Sequence, residues 1–295
     1  MDIVIGIPAY NEEEKIASII LKLKKITDKI IVCNDGSSDM TGQIARSLGA
    51  IVIEHPKNMG YGAGIRSIFL MAKEIHADIL VTFDADGQHR TDDIQPIMAP
   101  ILEDKADIVI GSRFLEKNEQ MPEYRKLGIK IITKLTNASM NDSLTDSQSG
   151  FRAYNRKVLD NIVPSDYGMG VSTEILIKSS KKEFRIAEVP IVVSYEGKTS
   201  THHPVSHGVS VIMSTIKYTS IEHPLKFYGI PALVFLTIGI SLISLTIQNY
   251  ADYGRITSTN IALIGASTTV LGVILFIAAI LLYSLINVVR ENNTK

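Results

Sequence analysis

Twenty consecutive residues from Tyr228 to Ile247, YGIPALVFLTIGISLISLTI, carry no charged side chain. As an α-helix rising ~1.5 Å per residue, such a run reaches about 30 Å, the thickness of a bilayer's hydrocarbon core. A second uncharged run, Ile261–Ile286, is long enough to cross again with some tilt, and only QNYADYGRITSTN separates the two. The pair predicts a transmembrane hairpin with spans at about 228–247 and 261–286. Buried core helices of a globular protein are the alternative, but these rarely lack a polar face over such lengths. Lys217, Lys226, Arg290 and Lys295 flank the outer ends, whereas the turn holds Arg255 offset by Asp252. The positive-inside bias therefore puts both ends of the hairpin in the cytoplasm. The opening MDIVIGIP lacks the basic-then-apolar layout of a signal peptide, which agrees with a cell-membrane protein whose first two-thirds stay cytoplasmic.

That leading part, residues 1–222, is expected to form one globular domain including juxtamembrane helices, with the hairpin occupying 223–295. Ile3–Ile7, Lys29–Cys33, Ala50–Ile53, Ile79–Phe83 and Asp107–Ile110 are short β-branched runs. Helical patterns alternate with them: Ile16, Ile19, Ile20, Leu23 and Ile26 recur at helical spacing, and Tyr61–Ile75 follows a glycine-rich turn. Strands alternating with helices imply crossover units, hence an α/β domain on a mostly parallel, Rossmann-like sheet. The segment FRIAEVPIVVS, Phe184–Ser194, predicts a long strand or a strand pair. A formal net charge of −1 gives no basic field for nucleic acid, and the lone Cys33, in an apolar run, reads as core filler.

Ligands of such sheets collect beyond the carboxyl ends of the strands. Three polar clusters stand there: PAYNEE after the first strand, NDGSSD after the second and DADGQH after the fourth. Asp84 and Asp86 are two apart, so in an extended strand end both point one way, with Gln88 continuing that side. Hard oxygen ligands so arranged suit Mg²⁺ or Mn²⁺, which would also hold phosphate oxygens; a capped aspartate turn is the plainer reading. Asp35 reads as an exposed carboxylate for a base or ribose, Tyr10 as a stacking ring and Glu12 as a polar contact, although Asn11, Ser37, Ser38 and Asp39 also suit helix caps. NMGYGAG, Asn58–Gly64, has GxGxG spacing after the third strand, not a dinucleotide fingerprint, and reads as a flexible turn whose helix N-terminus faces the site, with a structural role as the equal alternative. Within YRKLGIKIITKLTNASM, Lys126, Lys130 and Lys134 form a row beside Leu127, Ile131 and Leu135, suited to a headgroup contact.

The order PAYNEE, NDGSSD, DADGQH, GSR at Gly111–Arg113 and DSQSGFRAY at Asp146–Tyr154 resembles the family 2 glycosyltransferases of the GT-A fold. It is similar more narrowly to the dolichyl-phosphate mannose and polyprenyl-phosphate glucose synthases, over roughly residues 1–200. The resemblance implies that Pro8, Tyr10, Glu12, Asp35 and Ala85, with Asp84 and Asp86, hold a nucleotide, and that Asp84, Asp86 and Gln88 bind the metal. It implies that Arg113, Arg125 and Lys134 meet the acceptor phosphate or lipid, and that Arg152 or Glu174 lines a sugar pocket. Polysaccharide synthases of the superfamily carry QxxRW, and this chain has no tryptophan, which argues for transfer of a single sugar. His202, His203 and His207 read as part of a substrate-covering loop rather than a zinc site, and His89 as orienting the metal turn. An anionic lipid phosphate needs little general base, so inverting displacement is expected, with the two aspartates as ligands rather than acid and base. The expected donor is UDP-glucose or UDP-N-acetylglucosamine, with GDP-mannose as the alternative, and the expected acceptor is dolichyl or polyprenyl phosphate. A non-catalytic nucleotide-sugar-binding scaffold is the rival of another class, and the hairpin's lateral surface suits a homo-oligomer.

Overall fold

A computed structural model describes residues 1–116, 121–140, 143–193, 220, 224–255 and 258–292. The chain divides into two units, Met1–Thr215 and Ile216–Lys295.

The first unit is built on seven strands: β1 (Ile3–Ala9), β2 (Ile30–Asn34), β3 (Ile51–Glu54), β4 (Ile79–Thr82), β5 (Ile108–Ser112), β6 (Arg152–Asn155) and β7 (Ile186–Pro190). Their order is β3-β2-β1-β4-β6-β5-β7. All pairings are parallel except those of β6, which runs antiparallel between β4 and β5. Alternate residues feed two separate cores. Ile5 and Ile7 of β1, Ile30 and Val32 of β2, and Ile79 and Val81 of β4 pack on one face with α1 (Glu13–Leu23), α2 (Thr41–Ser47) and α4 (Ile94–Leu102). Val4, Ile31, Cys33 and Leu80 pack on the other with α3 (Tyr61–Glu74), α6 (Arg156–Asn161) and α7 (Val171–Lys181). Because both faces are covered, the strands read as unbroken apolar runs rather than alternating ones. The helix α5 (Glu123–Asn137) follows β5. The chain reverses its direction of winding between β1 and β4, the switch point where open α/β sheets bind ligands.

Strand β6 escapes the sequence pattern because RAYN has no β-branched run; its place comes from pairing on both sides. Its first residue also corrects an expectation. Arg152 is 1% exposed, and its guanidinium donates to the carbonyls of Ser147, Ser149 and Ser172 at 2.7, 2.8 and 2.9 Å. Glu174 is fully buried as well, accepting the N–H groups of Ser165 and Asp166 and pairing with Lys178. Neither side chain lines a sugar pocket: buried charges persist only when their hydrogen bonds are met, and here backbone groups of two loops meet them. Both are internal struts.

In the second unit, a π-helical turn (Leu225–Gly229) leads into α8 (Ile230–Tyr253), and Gly254, in the left-handed conformation, ends that helix before α9 (Thr259–Asn292). Two stretches, Leu225–Tyr253 and Thr259–Ile286, are long and apolar enough to cross a membrane, and only 11% of each apolar window is buried, unlike a soluble core helix. Both exceed the runs read from the sequence, because helix continues into the flanking polar residues. A side chain at Gly239 would come within 2.7 Å of the Thr269 backbone nitrogen, so small residues let the two helices approach. The predicted loop holding His202, His203 and His207, and all of the Val209–Ile221 helix but Ser220, lie outside the described residues.

Burial opposes ionisation of Glu174, yet Lys178, Ser165 and the loop N–H groups hold its carboxyl below the ordinary 4.5. A lowered carboxylate stabilises the fold above its unfolded value, and that contribution fades as pH falls through the folded value. Glu174→Gln is expected to destabilise the first unit by roughly 1–3 kcal/mol at neutral pH. Melting curves taken at decreasing pH should show the gap to wild type closing well below pH 4.5; a gap that persists there contradicts the assignment.

Candidate active site

Parallel neighbours end at the same edge, so the loops after β1 and β2 meet. Asn11 donates its N–H to Ser37 Oγ at 2.9 Å and accepts the Ser38 N–H at 2.9 Å. The Glu12 N–H donates to Thr41 Oγ1, the Glu13 N–H to Asp39 Oδ2, and Glu13 accepts the Met40 N–H. The polar residues expected as separate helix caps thus bind across the two loops. Tyr10 is 37% exposed at this edge. Burial, then the charges of Asp86 and Asp39, push the Glu12 carboxyl up against the pull of Lys15, which sets Glu12 in the same field as the aspartate turn.

Asp35 departs from expectation. It is 5% exposed rather than presented to solvent, because its carboxylate accepts N–H groups from Met59 at 3.0 Å and Gly60 at 2.8 Å, and His55 Nδ1 lies 2.6 Å away. The glycine-rich turn is correspondingly fixed rather than flexible. Gly60 has φ +101°, and a side chain there would meet the Tyr167 carbonyl at 2.4 Å, so glycine serves a close approach of the 166–168 backbone.

β4 stops at Thr82, two residues short of Asp84, so the DADGQH carboxylates stand in a tight turn rather than on a strand end. Turn geometry, not strand alternation, brings them together. Asp84 accepts hydrogen bonds from Tyr61 Oη at 3.2 Å and His89 Nε2 at 3.1 Å. The His89 ring packs on Phe83 and Phe151, and its buried Nδ1 has no partner, so the proton given to Asp84 is on Nε2. Burial pushes the Tyr61 phenol well above its ordinary range, keeping it a donor. Burial also opposes ionisation of Asp84, but His89, Tyr61 and the Arg113 charge hold its carboxyl below the usual value. Asp86 behaves oppositely: burial and the neighbouring Asp84 charge push it up. Gln88 meets Asp86 through its backbone N–H at 3.0 Å. At Gly150 a side chain would stand 2.9 Å from Asp84 Oδ2, so backbone closes the rear of the carboxylate. His89 orients the turn as its sequence position suggested; Tyr61 was hidden inside a glycine-rich motif that had no reason to point at an aspartate.

Beyond β5, Arg113 forms a fork with the fully buried Asp146, Nε to Oδ2 at 2.6 Å and Nη2 to Oδ1 at 2.8 Å. Burial opposes the Asp146 charge, but the guanidinium holds its carboxyl low. Arg113 also lines a cavity of about 480 Å³ with Lys126, Lys130, Phe114, Leu115 and Met121. Among the described residues, Glu116 is the one acidic lining residue beside three cationic ones. Lys130 Nζ lies 6.0 Å from the Phe114 ring centre. Arg125, in the first turn of α5, is half-buried and is not among the lining residues; Lys134, a turn beyond Lys130, is exposed. Tyr124, Leu127, Ile131 and Leu135 of α5 are exposed too, at 64, 61, 48 and 40%, while Ile129, Ile132, Thr133 and Thr136 face the core. Asp146 stood in the DSQSG motif without an assigned partner, since its arginine lies 33 residues away.

Two hard carboxylates, one of them penalised by the other's charge, suit a divalent cation. Among the described residues no third His, Cys, Asp or Glu joins them in a cluster, so other ligands would be amide, phosphate or water oxygens.

Residues 4–163 match the sequence family Glycosyl transferase family 2. The chain is 35% identical to the UDP-N-acetylglucosamine–dolichyl-phosphate N-acetylglucosaminyltransferase of Methanococcus voltae, over 70% of this chain and 89% of that one. It is 31% identical to a dolichyl-phosphate hexose transferase of Haloferax volcanii, over 73% and 93%. Among solved structures it resembles the Mycobacterium tuberculosis glucosyl-3-phosphoglycerate synthase in complex with Mn²⁺, UDP-glucose and phosphoglyceric acid, with TM-score 0.60 and 21% identity over 74% of this chain and 80% of that one. That likeness is one of fold. Sequence order, sheet topology and the carboxylate turn agree: the chain belongs to glycosyl transferase family 2 and has its GT-A fold.

Proposed function

We propose that this protein transfers one sugar from a nucleoside diphosphate sugar to dolichyl or polyprenyl phosphate, with inversion at the anomeric carbon. The observation that carries the reading is the position of Arg113. It lines a cavity of mixed cationic and apolar side chains, and its charge is among those that hold the Asp84 carboxyl low. One residue therefore joins a site suited to a diphosphate with a site suited to a phosphate on a hydrocarbon chain.

Pro8, Tyr10, Glu12, Asp35 and Ala85 are assigned to the nucleotide, and Asp84, Asp86 and Gln88 to Mg²⁺ or Mn²⁺. When bound, such an ion supplies the positive charge that a departing nucleoside diphosphate requires. Tyr61 and His89 fix the Asp84 carboxylate. The acceptor phosphate is already an anion, so no carboxylate has to remove a proton from it; alignment and charge carry the reaction. Asp146 fixes the plane of the Arg113 guanidinium, and Lys126 and Lys130 add charge around the acceptor phosphate. Arg125 and Lys134 are assigned to the same acceptor and its lipid, and the exposed apolar row of α5 to the headgroup region. The catalytic unit is assigned to the cytoplasmic face of the cell membrane, and the hairpin to the bilayer, where self-association is compatible with its small-residue packing. The similarity to a UDP-N-acetylglucosamine-dependent relative favours a uridine donor, carrying N-acetylglucosamine or glucose; GDP-mannose is the alternative.

Membranes containing the protein, given Mn²⁺, polyprenyl phosphate and labelled UDP-glucose, UDP-N-acetylglucosamine or GDP-mannose, are expected to move label from a uridine donor into the lipid fraction. Label from none of the three refutes the enzyme reading in favour of a non-catalytic scaffold. Asp86→Asn is expected to abolish transfer without changing membrane insertion. Tyr61→Phe is expected to lower transfer about 10- to 100-fold at limiting Mn²⁺, as loss of a ligand's supporting hydrogen bond does; wild-type Mn²⁺ dependence in Tyr61→Phe contradicts its role. Lys130→Glu is expected to raise the KM for the lipid phosphate about tenfold, the scale of one charged hydrogen bond, while leaving the donor KM unchanged.

A further inference from the structure

A hydrogen-bonded chain runs beneath the nucleotide turn. Ser67 Oγ, on α3, lies 2.8 Å from His55 Nε2, and His55 Nδ1 lies 2.6 Å from Asp35 Oδ1. The side chains of His55 and Asp35 are only 9% and 7% exposed. The Asp35 carboxylate, which already accepts two backbone N–H groups, accepts from Nδ1 as well, and Nε2 shares a second hydrogen bond with the Ser67 hydroxyl. The distances match those of a Ser-His-Asp hydrolase triad, but Ser67 lies in the middle of α3, where its backbone N–H belongs to the helix and forms no oxyanion hole. Cys33 Sγ, 3.5 Å from the same Nε2, is no nucleophile either, since burial pushes its thiol up to about 12. The arrangement is built to hold something.

What it holds is the start of α3. Asp35 grips the N–H groups of Met59 and Gly60, and the next residue, Tyr61, donates to Asp84. Ser67, His55 and Asp35 thus tie the ends of β2 and β3 to the helix that steadies the carboxylate turn.

We propose that His55, held by Ser67, is a positioning residue for the donor site: it orients Asp35 onto the Met59–Gly60 turn and, through Tyr61, sets Asp84. The inference rests on the reading that Asp35 and Asp84 border the donor's nucleoside diphosphate. Loss of His55 leaves a buried carboxylate with one partner fewer and frees the turn, so it weakens donor and metal binding rather than the chemical step.

The test is calorimetric titration of UDP, with Mn²⁺, into the detergent-solubilised full chain, alongside donor KM and kcat. His55→Leu is expected to weaken UDP binding and raise the donor KM about tenfold, as lost supporting contacts do, with kcat within about threefold. His55→Asn, whose amide N–H stands near the Nδ1 position, is expected to recover most of the affinity, and Ser67→Ala to lose about threefold, a fraction of one hydrogen bond. Wild-type UDP affinity in His55→Leu, or His55→Asn binding no better than His55→Leu, overturns the inference while leaving the nucleotide reading intact. Where His55→Leu does not fold, wild-type affinity in Ser67→Ala overturns it. A wild-type protein that binds neither UDP nor GDP overturns the nucleotide reading and this inference together.

Discussion

Asp84 and Asp86 stand together at the mouth of a parallel sheet, each costing the other, and this unfavourable pairing is the constraint that the surrounding domain serves. Two adjacent, half-buried carboxylates repel each other unless something balances them. Asp84 is balanced from within the protein, by a phenol from α3, an imidazole wedged between two phenylalanines and the field of Arg113. Asp86 is left raised. The turn is therefore asymmetric: one carboxylate is preorganised by protein donors, and the other is raised by burial and by its neighbour's charge. Such uncompensated charge is a stability cost that functional sites retain and structural turns discard.

Backbone, more than side chains, makes the turn possible. Gly150 closes behind Asp84, and Gly60 lets the 166–168 loop approach the helix that brings Tyr61. The 166–168 loop is in turn held by Glu174, whose buried carboxylate collects the N–H groups of Ser165 and Asp166. Arg152 does the converse, collecting carbonyls from 147, 149 and 172. A buried anion and a buried cation thus each tie together main-chain segments around the site.

The acceptor side follows a different logic. The helix α5 has two apolar faces, one against the core and one exposed beside its lysines, and the cavity at its base mixes three cations with phenylalanine, leucine and methionine. Cationic and apolar lining side chains together suit a molecule that is a phosphate at one end and a hydrocarbon at the other. Two helices long and apolar enough to cross a membrane suit such a protein to the solvent in which a lipid acceptor resides.

Much of this was legible in the chain itself. Uninterrupted apolar length dictates helices long enough to span a membrane, because backbone in lipid must satisfy its own hydrogen bonds. Strand and helix periodicity dictates a doubly covered parallel sheet, and polar clusters after successive strands mark where ligands bind; all of these are local in sequence. What the sequence could not decide involves partners far apart along it. Arg113 meets Asp146 across 33 residues, Tyr61 meets Asp84 across 23, and Asp35 turns inward to a loop 25 residues on rather than outward to solvent. Arg152 and Glu174 looked like functional charges, and β6 gave no strand signal, because burial and pairing are properties of the assembled sheet. A residue's type states which bonds it is able to make; only the tertiary structure, by choosing which groups share a dry interior, decides which of them it does make.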